Sequence, residues 1–214
     1  TLRYEENSSG PSFPSGMRSR LIAANAAAAT YYQEQLNTSP DAAHGRDLLM
    51  KRGFDKDACK LFGVGFAPDD WDSLTKHLRA QGFTIDELET AGLSKMGQRG
   101  PIDRFRNRLT WPIKDITGDV VGFGCRKLAS DEEDQGPKYL NTPETPIYKK
   151  SQVLYGLDVA KKEIAKKRQA VIVEGYTDVM AAHLAGITTA VATCGTAFGA
   201  DHIRILRRLL MDDD

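Results

Sequence analysis

The sequence predicts an α+β chain: a mainly helical N-terminal lobe that carries an antiparallel hairpin, followed by an α/β unit. Three observations lead there. Apolar residues recur at helical spacing up to about residue 97, with glycines between the runs. Near Leu109 the period shortens to that of strands, on either side of a turn containing Gly118. From Leu157 onward, helix and strand signals alternate, which is the pattern of an α/β unit.

In chain order, residues 1–17 are rich in Ser, Gly, Pro and Asn and read as an arm or linker. Leu21, Ala24, Ala28 and Tyr32 place an amphipathic helix over residues 18–36. Ser39 is an N-cap and Pro40 a first helical residue, so a second helix runs to Lys51-Arg52 and stops at Gly53. Short helices follow at 55–62, 70–81 and 85–91. Leu109 to Lys114 and Val120 to Gly124 form the hairpin, and Asp131 to Asp134 a solvated acidic loop. The second unit reads as a helix at 157–168, a strand at 170–173 of the kind buried in a parallel sheet, and a helix at 176–185. A strand at 188–192 and a helix at 200–210 follow. The expected division is therefore an arm (1–17), a lobe (18–156) and an α/β domain (157–214).

The bulk composition excludes several classes. With 214 residues, 41% hydrophobic and 27% charged, the chain can bury a real core. Twenty-nine basic residues balance twenty-nine acidic ones, so a nucleic-acid surface has to be a local patch. Cys59, Cys125 and Cys194 are far apart, which argues against a disulfide scaffold or zinc ribbon and fits a cytoplasmic protein with cysteines as small core residues. The apolar stretch around Leu21 to Ala29 is broken by Asn25 and is far shorter than the ~20 residues of a membrane span, so no membrane partner is expected. The absence of a starting methionine, and a stop at Asp214 just behind a helical pattern, read as cuts within a longer protein.

The sharpest chemical signal is Val171-Ile-Val-Glu174-Gly175-Tyr176-Thr177-Asp178. It puts Glu174 at the carboxyl end of a strand as the chain turns into a helix, the edge where open α/β sheets bind ligands. Gly175 is expected to let the backbone turn tightly beside the carboxylate. A glutamate there can ligate Mg²⁺ or move a proton. An acid at this place is also favoured by the helix dipole alone, and the spacing leaves both readings open. Arg104, Arg106 and Arg108 alternate, so an extended chain would project all three from one face, toward solvent or anions. Phosphate contacts and a salt-bridged strand face are both compatible with that row. Tyr139 suits either base stacking or a core position. None of the four histidines has ligand spacing to another; His202 reads as packing or capping locally, and Lys161 to Arg168 as a solvated face.

Several segments, taken in order, resemble one family. Glu174-Gly-Tyr-Thr-Asp178-Val179 is similar to the first motif of Toprim domains in the form found in bacterial primases, and the stretch from Val191 to Ile203, with Gly195-Thr196 beside the site, is similar to the continuation of that form. Asp103 to Ile113, Gly122 to Arg126, Pro137 to Thr145 and Tyr148-Lys149-Lys150 resemble the primase RNA-polymerase core; Lys51-Arg52-Gly53 and Gly65 to Pro68 resemble its helical lobe. From about residue 20 onward the chain thus resembles DnaG-type replicative primases, with a truncated α/β Toprim domain at its end.

The resemblance implies synthesis of short RNA primers from ribonucleoside triphosphates on a single-stranded DNA template, in the bacterial cytoplasm at the nucleoid. It implies Glu174 as metal ligand or general base, Asp178 as a supporting ligand, and Mg²⁺ (or Mn²⁺) as the ion. It assigns Arg52, Arg104, Arg106, Arg126, Lys138 and Lys150 to a basic ridge, and makes Tyr139 a stacking candidate. Toprim sites add a later Asp-x-Asp pair; Asp212-Asp213-Asp214 directly follows a helical run and reads as a surface loop instead. Without that Asp-x-Asp pair this stretch is expected to be inactive alone; the zinc module and the domain that contacts the replicative helicase also have no counterpart in this sequence. Two other classes compete: another Toprim enzyme, a nuclease or topoisomerase, and a non-catalytic module that binds single strands or nucleotides.

Overall fold

The computed structural model describes residues 16–130, 132 and 134–211. The arm expected over residues 1–17 lies almost wholly outside them, as does the acidic end at 212–214. Helix α1 (Met17–Thr38) buries Leu21, Ala24, Ala28, Tyr32 and Leu36, the stripe its spacing predicts. Ser39 does cap the next element, but Pro40–Ala42 is a 3-10 turn that leads into α2 (Ala43–Lys51). Helices α3 (Lys56–Phe62), α4 (Ser73–Ala80) and α5 (Ile85–Thr90) complete the helical part.

Short strands absent from the sequence reading separate and follow these helices. They are β1 (Gly65–Ala67) and a hairpin of β2 (Ser94–Gly97) with β3 (Gly100–Asp103). The expected hairpin is β4 (Arg108–Lys114) and β5 (Val120–Lys127), and β6 (Tyr139–Asn141) adds to it. Together β1-β4-β5-β6 make one antiparallel sheet. The hairpin turn is closed by Asp115, whose Oδ1 accepts from the N–H groups of Thr117, Gly118 and Asp119.

The α/β unit contains β7 (Leu154–Tyr155), α6 (Leu157–Lys167), β8 (Val171–Val173), α7 (Tyr176–Leu184), β9 (Ala190–Thr193) and α8 (Ala200–Leu210). Its sheet runs β7-β9-β8, with β8 parallel and β7 antiparallel to β9. Among the described residues the strand ending at Glu174 is not covered as expected. The central strand is β9, whose Ala190, Val191 and Ala192 are fully covered, while β8 lies at the edge with Ile172 38% exposed. The lysine-rich face of α6 is also not merely solvated. Arg168 donates from Nε and Nη2 to the carbonyls of Leu210 and Met211, satisfying free acceptors at the end of α8. No described helix is long and apolar enough to cross a membrane.

One side chain joins the two sheets. The Tyr176 ring, at the start of α7, lies against Trp111 of β4 with centroids 5.9 Å apart and planes 13° apart. It meets Tyr155 of β7 edge-on at 4.8 Å, and its hydroxyl donates to Asn141 Oδ1 of β6 at 2.9 Å. The ring occupies the place where residue 124 would carry a side chain; a Cβ built on Gly124 would sit 2.1 Å from Tyr176 Cζ. Trp111 Nε1 points at Met180 Sδ of the same helix, 3.2 Å away. Gly124→Ala is expected to displace the ring and destabilise the fold by about 1–3 kcal/mol or more, read as a lower midpoint in urea denaturation.

The helical part is tied by a charged contact. Glu87 forms a capping box with Thr84 at the start of α5. Its carboxylate also accepts from Arg20 of α1 at 2.7 and 2.9 Å. The hydrogen bond from Arg20, helped by the Thr84 N–H, holds the Glu87 carboxyl down at about 2. A depressed carboxyl stabilises the fold above its unfolded value and loses that contribution as pH falls toward the folded one. Glu87→Gln is therefore expected to cost about 1 kcal/mol near neutral pH, after allowance for solvent screening. The difference from wild type in chemical denaturation should shrink as pH falls below the ordinary glutamate range, and vanish near about 2.

Candidate active site

The acid turn follows from the local chain. Strand β8 ends at Val173, Glu174 stands exposed at its carboxyl end, and α7 starts at Tyr176. Gly175 departs from expectation: at φ −142° and ψ 173° it is extended, a conformation open to any residue. What it provides is room, because a Cβ there would come within 3.3 Å of Asp178 Oδ2. The Asp178 carboxylate thus folds back over the turn that presents Glu174. Both acids lie in the first turn region of α7, where the helix dipole favours negative charge.

Glu174 and Asp178 open onto a cleft of about 350 Å³, with Thr177 beside them. The opposite wall is Tyr139 and Asn141 of β6; Thr193 and Gly195, at the end of β9, close a third side. Gly195 therefore sits beside the acids. Tyr139 is 46% exposed, so its ring faces the cleft and is not a core residue. Asn141 was not foreseen, since three residues of strand before Pro143 give no readable period. A signal existed: Asn141 stands two residues after Tyr139, on the same face of an extended chain. It both accepts from Tyr176 and packs its amide where a Gly195 side chain would be.

The basic candidates divide into three groups. Arg126 pairs across the sheet with Tyr139, so its side chain leaves the same face one strand away from the cleft. Lys150 is half-buried, and its charge reaches the Cys194 thiol, between Thr193 and Gly195; burial pushes that thiol up to about 12 despite the lysine. Arg52, Arg104, Arg106 and Lys138 do not line the cleft. Arg52 is exposed at the end of α2, and Lys138 is exposed just before β6. The Arg106 guanidinium lies 3.5 Å over the centre of the Trp71 ring, beside a second, larger hollow of about 730 Å³ bounded by the β2–β3 hairpin. That hollow offers no pair of neighbouring carboxylates facing it, so the acid cleft is the candidate for chemistry.

The row of three arginines is broken. Asn107 adopts φ 47°, which ends the alternation between Arg106 and Arg108. Arg108 turns inward, 5% exposed, and donates to the Pro137 carbonyl at 2.9 Å and to Asp134 Oδ2 at 3.3 Å. Asp134 is accordingly a structural partner rather than part of a solvated loop. The other two behave differently. Arg104 and Arg126 each have a buried Nε without an acceptor among the described residues, and burial pulls the Arg104 guanidinium below its usual value. Donors left unpaired under cover cost free energy in the free protein, and an anion seated there removes that cost.

Two carboxylates at one cleft are hard oxygen donors of the kind a divalent cation such as Mg²⁺ takes, with waters and phosphate oxygens completing its shell. Among the described residues no group of three or more His, Cys, Asp or Glu could hold a metal alone. Glu174 and Asp178 therefore fit a cation that is shared with substrate phosphates.

Comparison with known proteins bears on this arrangement. Residues 31–161 match the family model of the DNA primase catalytic core, N-terminal domain, and residues 168–212 match the Toprim domain. The DNA primase of Streptomyces coelicolor is 65% identical over the whole of this chain, which spans 33% of that relative. Among solved structures, the RNA polymerase domain of Mycobacterium tuberculosis primase DnaG, crystallised with a double-stranded DNA oligomer bearing a 6-nucleotide overhang, superposes with a TM-score of 0.88 at 61% identity. The match covers 92% of this chain and 60% of that one. A DnaG primase catalytic domain bound to single-stranded DNA gives 0.81 at 38% identity, again over 92% of this chain and 60% of the other. The chain thus spans about a third of the length of the curated relatives it matches. Because the matched primase domain runs from the middle of α1 into α6 and carries the sheet on which the acid turn is seated, the chain belongs to the family of DNA primase catalytic cores, with a Toprim segment following.

Proposed function

We propose that this chain is the template- and nucleotide-facing part of an enzyme that builds short RNA primers on single-stranded DNA. The observation that carries the reading is the meeting of the Glu174–Asp178 acids with Tyr139 and Asn141 across one cleft, with Arg126 on the strand next to Tyr139. The relatives that are named DNA primase, and the related domains crystallised with DNA, support it. A nuclease or topoisomerase reading does not account for the primase domain matched over residues 31–161.

In this reading Glu174 and Asp178 hold Mg²⁺ (or Mn²⁺). The ion supplies charge neutralisation at the triphosphate and alignment of the attacking hydroxyl. The chain's own residues do the rest. Arg104 and Arg126 offer their unpaired donors to phosphate oxygens, and Arg52, Arg106, Lys138 and Lys150 extend the positive path. Tyr139 gives a base a ring to stack on at the cleft wall. The lobe to residue 156 would carry most of the nucleic-acid contacts and the Toprim segment from 157 the acids. In the full-length protein, a zinc module and a contact to the replicative helicase would complete the machinery, at the nucleoid in the bacterial cytoplasm.

In the full-length protein, Glu174→Gln keeps the shape and removes the charge. Primer synthesis is expected to fall about a hundredfold or more, with single-strand binding retained; synthesis at the wild-type rate with unchanged Mg²⁺ dependence would refute the metal role. Arg126→Ala and Arg104→Ala are each expected to lower the salt dependence of single-strand binding by about 0.7 in slope, equally across template sequences. An unchanged slope in a folded variant would return that arginine to a structural role.

A further inference from the structure

Asn141 stands on the wall of the cleft that faces Glu174 and Asp178. Its backbone is set by the sheet, where it pairs with Gly124 of β5. The next residue, Thr142, is buried and tied twice to Phe123. Its N–H donates to the Phe123 carbonyl at 2.8 Å, and its Oγ1 accepts from the Phe123 N–H at 2.8 Å. The side chain of Asn141 is set by Tyr176, whose hydroxyl donates to Oδ1 at 2.9 Å. The carboxamide oxygen is the strong acceptor beside that phenol; the neighbouring Cys194 thiol is a weak one. The phenol proton thus fixes which end of the amide points which way.

Nδ2 lies on the side of Gly195, where a Cβ would stand 2.6 Å from it. Gly195 has no side chain and adopts φ 71°, so the amide nitrogen keeps its space at the cleft. Among the described residues Nδ2 has no acceptor, and it is not sealed from solvent. Seating the Tyr176 hydroxyl needs only an acceptor at position 141. A carboxylate would serve that purpose, but it would set a third negative charge opposite the two acids. Asparagine supplies the same acceptor and adds a neutral donor on the cleft side.

We infer that Asn141 is a binding residue for the incoming triphosphate: its Nδ2, held by the Tyr176 bond to Oδ1, donates to a phosphate oxygen of the nucleotide in the acid cleft. Tyr176 is then a positioning residue that acts through Asn141. The inference rests on the reading of this cleft as the nucleotide site. Within about 350 Å³ the amide and the acids occupy facing walls. A cation on the acids draws phosphate oxygens to that side, and a tetrahedral phosphate turns its remaining oxygens to the wall opposite. A donor already fixed in direction gives its bond without a further ordering cost.

The measurement is template-dependent primer synthesis by the full-length protein, with kcat and KM for ribonucleoside triphosphates and melting curves to show that each variant is folded. Asn141→Leu keeps the size of the side chain and removes the donor. It is expected to raise KM about tenfold, with the loss on KM rather than kcat and an unchanged Mg²⁺ dependence. Tyr176→Phe keeps the ring in its seat and frees the amide; it should raise KM about threefold. The Asn141→Leu/Tyr176→Phe double variant should be no worse than Asn141→Leu, since both changes remove one interaction. Inhibition by a 2′-deoxyribonucleoside triphosphate, which carries the same phosphates, should weaken by the same factor as KM rises. A wild-type KM in folded Asn141→Leu, or a loss confined to kcat, would overturn the binding role. An additive double variant would overturn the action of Tyr176 through Asn141. Unchanged inhibition by the deoxyribonucleotide beside a raised KM would place the bond on the 2′-hydroxyl and overturn the phosphate assignment. If Asn141→Leu does not fold, Tyr176→Phe decides, and a wild-type KM there counts against the inference. A wild-type protein that makes no primer would overturn the functional reading itself, an outcome distinct from any difference in KM between active variants.

Discussion

The seat of Tyr176 on the antiparallel sheet is the contact on which the geometry of the cleft depends. The Tyr176 ring lies where a side chain on residue 124 would stand, and Gly124 leaves that place open. Trp111 and Gly124 are direct cross-strand partners, and Gly124 pairs in turn with Asn141. One row across three strands therefore receives the ring: a stacking partner, a gap and a hydroxyl acceptor. Because Tyr176 is the first residue of α7, fixing its ring fixes the helix and the turn before it. Glu174 and Asp178 are placed against the β6 wall by an apolar contact they do not themselves make. The apolar cluster shows the same union, since Tyr176, Val179, Met180, Ala192 and Cys194 belong to the core of the large sheet. A smaller cluster of Leu154, Leu157, Ala160, Ile164, Val191 and Leu206 covers the other side of β9.

The charged residues follow a second constraint, the cost of leaving a buried donor unpaired. Arg108 and Lys127 meet it within the chain: both turn inward, and both satisfy their donors on the segment that holds Asp134, Gly136 and Pro137. Among the described residues, Arg104 and Arg126 do not meet it at Nε. Two arginines four residues apart thus differ: Arg108 is an internal brace, while Arg104 Nε is without a partner among the described residues. Asp103, buried at the end of β3, accepts from the N–H groups of Leu74 and Thr75 and from the Thr75 hydroxyl, strapping the hairpin to the start of α4 just before Arg104. Burial raises the Asp103 carboxyl while those hydrogen bonds hold it down.

What could be read from the sequence was whatever repeats over a turn or more of backbone. The stripe of α1, the extent of α8 and the β4–β5 hairpin all come from local periodicity and turn chemistry, and the structure has them at or near the expected bounds. The order of short motifs pointed to the primase family because several weak signals at plausible spacing exclude most alternatives together. The acid turn was legible for the same reason, since a strand, a Glu-Gly step and a helix are contiguous.

Pairing between distant segments was decided only in three dimensions. Strands of two to four residues, such as β1, β6 and β7, are too short for an alternating period, and they form because a longer neighbour offers free backbone groups. Whether β8 is central or at an edge depends on which strand it finds beside it, and Val171-Ile-Val173 reads the same either way. The inward turn of Arg108 needed a left-handed Asn107 and an acceptor segment some thirty residues on, as its bond to Pro137 shows. The sequence determined the elements and the chemical groups they carry. Tertiary structure decided which of those groups face one another, because hydrogen-bond partners and close ring contacts are chosen across space rather than along the chain.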